Sequence, residues 1–183
     1  MGSTSRADMF LDTADDPREI RPPMPDERST LLAYLRDQRL TLQIKCGDLD
    51  AEGMAARSVP PSTLSLLGLV RHLADVERGW MRRFMAGLDA PPLYYGPDDR
   101  DGEFDNVRAD PALVEEAWAA WREECAFTDA FVATAPDLDM KGTDPTSMHP
   151  TLRAVLVHLI EEYARHNGHA DLLRELIDGR IGQ

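Results

Sequence analysis

A chain of 183 residues with 43% hydrophobic content can bury one core unaided, which excludes a disordered tail. Its formal charge of −13, from 20 basic and 33 acidic residues with no run of Lys or Arg, argues against nucleic acid and anionic membranes as partners. Cys46 and Cys125 are too few for a disulfide framework and lack metal-ligand spacing, so they read as buried small hydrophobes.

Residues 1–25 are polar and end in Arg21-Pro22-Pro23-Met24-Pro25, a pattern that predicts an extended arm packed on the domain or on a partner. The opening residues show no apolar signal-peptide core, and no stretch approaches the ~18 apolar residues of a bilayer span. A soluble cytoplasmic protein is the expectation.

Residues 26–183 read as one all-α domain. Asp26 or Ser29 can cap a first helix carrying Leu31, Leu35, Leu42 and Leu49, and the pattern fades over Gly47–Gly53. Ser58-Val59-Pro60-Pro61 reads as a turn, and Ser62 as the cap of a second helix. That helix carries Leu66, Leu69, Leu73, Val76, Trp80 and Phe84 at three- and four-residue steps, and Gly87 with Pro91-Pro92 ends it. A polar loop from Asp89 to Arg108 follows, long enough to suggest a functional segment or a loose surface excursion. Asp110-Pro111 opens a third helix with a stripe of Leu113, Ala117, Trp121, Glu124, Phe127 and Phe131, closed by Ala135-Pro136. After a second loop, the fourth helix runs from about Pro150 to Asp178 with Gly179 after it. Its stripe is Leu152, Leu156, Leu159, Tyr163, Ala170, Leu173 and Ile177. Four amphipathic helices without a convincing strand predict an up-down four-helix bundle.

One position in the fourth stripe is polar: His166, between Tyr163 and Ala170. Glu162 lies four residues earlier, so the two side chains stack on one helical face. A carboxylate and an imidazole so placed can grip one cation, although a Glu–His surface pair has the same spacing. His72, midway along the second helix, has Gly68 and Gly79 on its face, which suggests that space is wanted there for a metal, a ligand or a neighbouring helix. Bundle cores build metal sites from facing helices, and two imidazoles with one carboxylate suit Zn²⁺, Ni²⁺ or Fe²⁺. Three protein ligands leave an open position, the arrangement of a catalytic site. His158, one turn before Glu162, is an alternative ligand or a group supporting one. His169 can orient a ligand or touch a substrate, and His149 stands at the mouth of the fourth helix.

The stretch from His158 through Glu162, Tyr163 and His166 to Arg174 resembles the last helix of the DinB-like superfamily. Arg71-His72-Leu73-Ala74-Asp75-Val76-Glu77 with Trp80 resembles its second helix, and the likeness covers roughly residues 28–180. The resemblance implies a four-helix bundle with a metal triad, most often three histidines, at the positions that hold His72, Glu162 and His166 here. Glutamate at the middle position is similar to the mycothiol-dependent branch, which includes maleylpyruvate isomerases and thiol S-transferases. The implied chemistry is a divalent metal that activates a low-molecular-weight thiol toward a small electrophile, with Arg165 and His169 as candidate substrate contacts. A metal-dependent hydrolase and a non-enzymatic metal- or ligand-binding bundle acting as a homodimer are the alternatives.

Overall fold

A computed structural model describes residues 11–12, 14–143 and 150–182. His149 lies outside the described residues. Among the described residues, six α-helices and one π-helical segment make up the regular structure, and the only β pairing is two isolated bridges.

Helix α1, Glu27–Cys46, starts at Asp26, whose carboxylate accepts the Ser29 amide while the Ser29 hydroxyl accepts the Asp26 amide. Leu35 and Leu42 are fully buried. A short helix α2, Ala51–Ala55, occupies the segment where the pattern fades, and its Met54 enters the core. Asp50 caps it through the Gly53 amide, a local bond that competes with simple chain exit.

Helix α3, Leu66–Glu77, begins three residues later than the Ser62 cap predicts. Ser65 is the residue that accepts the Gly68 amide, whereas the Ser62 hydroxyl accepts from Leu64 inside the preceding turn. The chain then continues as a π-helical segment, Arg78–Met85, with the Ala86 amide reaching back five residues to Met81. The wider turn shifts the inward face. Met81 and Met85 are fully buried, while Trp80 and Phe84, expected in the core stripe, stand half-buried at its edge.

The long loop after the π segment carries helix α4, Gly102–Asp105. Helix α5, Pro111–Thr134, is capped by Asp110 and begins with proline, which has no amide to leave unpaired. Its buried line is Ala117, Trp121, Cys125, Thr128 and Val132, with Glu124, so Phe127 and Phe131 flank the core rather than fill it. Helix α6, Leu152–Asp178, is capped by Thr151 and ends at Gly179, whose φ of +80° suits glycine.

Four long elements pack as a bundle, with α6 against α1 and α3, and α3 against α5. At the centre Glu77, fully buried, joins all four. It accepts two bonds from Arg39 on α1 (2.8 and 2.9 Å), one from Thr128 on α5 and one from the Tyr163 hydroxyl on α6. Trp121 donates to the same Tyr163 oxygen at 2.7 Å. Burial, then the Glu77 carboxylate, raises the Tyr163 pKa, so the hydroxyl stays a donor.

The arm packs on α1. Arg18 donates to Thr41, Arg36 to the Pro17 carbonyl, and Arg21 pairs with Asp37. No helix among the described residues is long and apolar enough to cross a membrane. Both cysteines are buried and unpaired, as expected, and burial pushes the Cys46 thiol up to about 12.

Candidate metal centre and adjoining cavity

His72 on α3 and Glu162 with His166 on α6 converge. One ligand-type atom from each lies within 4.8 Å of the other two. Glu162 Oε2 is 3.5 Å from His166 Nε2 and 3.8 Å from His72 Nε2. These distances are too long for hydrogen bonds. They are close to the separation of about 3.3 Å between ligand atoms around a tetrahedral zinc. His72 Nε2 is buried without a hydrogen-bond partner. Three polar groups that meet without bonding one another leave room for a cation, so the donor set fits a divalent metal.

The imidazoles are prepared for such a role. Burial, then the proximity of His72, His169 and Arg165, lowers His166 to about 3, so its ring is neutral and can ligate at ordinary pH. Its Nδ1 lies 3.3 Å from His169 Nδ1, which leaves Nε2 facing Glu162. His72 Nδ1 donates to Glu103 Oε1 at 3.3 Å, which orients the ring with Nε2 toward the centre. Phe104 stacks on the other side of His72, with ring centroids 5.5 Å apart.

Gly68 makes that stacking feasible. A Cβ there would stand 2.7 Å from the Phe104 ring, so the space that the glycine provides is taken by the α4 aromatic. Asp75, one turn after His72, holds the loop over α3 by accepting the Leu93 and Tyr94 amides at 2.7 and 3.0 Å. Arg71 stacks on the Tyr94 ring at 4.3 Å. The loop is therefore a built part of the site and delivers Glu103 to it.

The other candidates take different places. His158 lies 3.7 Å from Glu162 Oε1 and packs against Trp80 with the rings tilted by 60°, so it flanks the carboxylate. Arg165, largely exposed, reaches Glu162 Oε1 at 3.5 Å. His169 touches His166. Neither Arg165 nor His169 borders the adjoining cavity, whose volume is about 290 Å³. Trp80, Phe84 and Tyr95 give that cavity an aromatic wall beside His72 and Glu103. Arg83 and Arg100 also line it. Sequence reading missed Glu103, Arg83 and Arg100. Glu103 sits in an acidic loop where nothing in spacing distinguishes it, and Arg83 looks like one of three surface arginines on its helix.

A crystal structure of a conserved protein from Enterococcus faecalis superposes with a TM-score of 0.57 at 17% identity, covering 82% of this chain and 96% of that one. That likeness shows the fold. No curated protein matches. The family model for mycothiol-S-transferase matches residues 30–179, which spans all four long helices, the triad and the loop that bears Glu103. The bundle is thus the DinB-like fold that the helix motifs resemble, and the chain belongs to the mycothiol-S-transferase family.

Proposed function

We propose that the protein is a divalent-metal-dependent transferase that joins a low-molecular-weight thiol of the mycothiol type to a small electrophile. The observation that carries this reading is the orphaned, buried His72 Nε2 aimed at Glu162 and His166, in a chain of this family. A divalent cation held there would lower the pKa of a thiol presented at its open position, and so supply thiolate at neutral pH.

The chain's own residues do the rest. His72, fixed by Glu103, and His166, kept neutral by burial, serve as ligands beside the Glu162 carboxylate. His158 and Arg165 flank the second Glu162 oxygen at 3.7 and 3.5 Å. Glu103 Oε2, buried without a partner, is an acceptor available for the thiol proton. Trp80, Phe84 and Tyr95 limit water around the electrophile. Cys46 and Cys125 take no part, because burial raises both thiols far from the reactive range.

The test is reconstitution of metal-free protein with Zn²⁺, Ni²⁺ or Fe²⁺, followed by incubation with mycothiol and an electrophile such as monochlorobimane. The expected result is a thioether adduct, seen by mass spectrometry, that needs both metal and protein. His72→Ala and His166→Ala should lose the metal and the adduct while keeping their helical signal. An adduct rate indifferent to metal, or stoichiometric metal in both variants, would overturn the reading.

A further inference from the structure

We infer that the cavity beside the metal centre selects a ligand carrying a carboxylate on a flat unsaturated body, held by Arg83 and Arg100. The inference rests on the transferase reading only in calling that ligand the electrophilic co-substrate.

The argument starts from charge. The chain has 33 acidic and 20 basic residues, so its guanidinium groups should find carboxylates readily. Arg78 and Arg82, on the same π segment, do so: both bind Glu124, and Arg82 also binds Glu123. Arg83 is the next residue. Among the described residues it has no ion pair, and its Nε is buried without a hydrogen-bond partner. Its guanidinium carbon lies 5.7 Å from the centroid of the Phe84 ring. Arg100, across the same cavity lining, likewise has no ion pair among the described residues.

The two carboxylates on that wall, Asp75 and Glu103, pair with neither arginine. Asp75 accepts the Leu93 and Tyr94 amides, and Glu103 Oε1 accepts from His72. Neither guanidinium is therefore matched by a carboxylate of the cavity, and two forked guanidiniums suit the carboxylate of a ligand. The same lining carries Trp80, Phe84 and Tyr95, whose ring faces suit a flat conjugated group. A volume of about 290 Å³ admits a small molecule. The π turn is what places Trp80, Arg83 and Phe84 here, since it turns Met81 and Met85 inward instead.

The test compares trans-cinnamate with trans-cinnamamide, which share a shape and differ in charge, by calorimetric titration of metal-free and zinc-loaded protein. Metal-free protein isolates the arginines, because a carboxylate can also bind zinc. The expected result is that cinnamate binds metal-free protein at least about tenfold more tightly than the amide. Arg83→Gln/Arg100→Gln should abolish that preference and Arg100→Gln alone should weaken it, with zinc content unchanged. Arg82→Gln, whose guanidinium is paired elsewhere, should retain it. Equal binding of the two probes, no millimolar binding of either, or a preference that survives in the double variant would overturn the inference. Thiol transfer is not measured in these titrations, so failure of the transferase reading leaves their outcome intact, and the converse also holds.

Discussion

Glu103 makes one contact that decides what His72 can do. A neutral imidazole that donates through Nδ1 offers its Nε2 lone pair to a metal, and Glu103 Oε1 at 3.3 Å is the acceptor that favours this tautomer. Partners of this kind typically alter metal affinity 10- to 100-fold. Glu103→Ala is therefore expected to weaken zinc binding by roughly that factor, and Glu103→Gln, which still offers an oxygen, to recover part of it. Competition with a chromophoric chelator measures both. His166 gives a pH effect of definite sign. Its folded pKa of about 3 lies below the ordinary value of 6.5, so at intermediate pH the unfolded chain takes up a proton that the folded one refuses. Stability is full above pH 6.5 and declines as pH falls toward 3. Metal-free wild type should lose roughly 2–5 °C of Tm per pH unit more than His166→Gln below pH 6. Parallel melting curves for the two proteins would contradict this.

Among the elements, the π segment and the loop after it separate this bundle from a plain one. A sequence pattern read at 3.6 residues per turn puts Trp80 and Phe84 on the core face. The wider turn moves both to the cavity wall, and no local propensity marks where such a turn begins. The loop from Asp89 to Arg108 was open to either a functional or a loose reading. Asp75 settles its position through two amides, and Arg78 adds a bond to the Pro91 carbonyl. Burial, opposed by those amides, leaves the Asp75 carboxyl above the usual carboxylate value. Asp75→Ala should release the segment. Amide exchange at Leu93 and Tyr94 should speed up, and stability should fall by about 1–3 kcal/mol, the cost of leaving such a group unsatisfied. Zinc affinity should drop as well, because Glu103 is carried by the same loop. Unchanged exchange at those two amides would show that the loop is held by other contacts.

For the whole molecule, Arg39 and Glu77 tie α1 to α3 at the centre, and Thr128 and Tyr163 bring in α5 and α6. Removing one partner strands a buried charge, so Glu77→Ala is expected to cost about 3–5 kcal/mol in urea unfolding. Arg39→Met/Glu77→Met should recover most of that loss, since a well-packed apolar pair replaces the ion pair. A double variant as unstable as Glu77→Ala would mean that the polar hub itself holds the four helices in register.

The sequence by itself determined the four long helices, most of their caps and the one polar position, His166, in the last apolar stripe. These features depend on neighbours within one or two turns, and helical periodicity records them directly. It also carried the Glu162–His166 pairing and singled out His72, and the family match covers all three. The tertiary structure alone decided that these three side chains meet, that Glu103 stands behind His72, and that Arg83 and Arg100 share a cavity. Those contacts join residues tens of positions apart, and they depend on how α3 packs on α6 and where the loop folds back. The same holds for Arg39 and Glu77, charged residues in apolar registers whose partners lie on other helices. A spacing rule sees one helix at a time, so contacts between helices appear only once packing has chosen which faces meet.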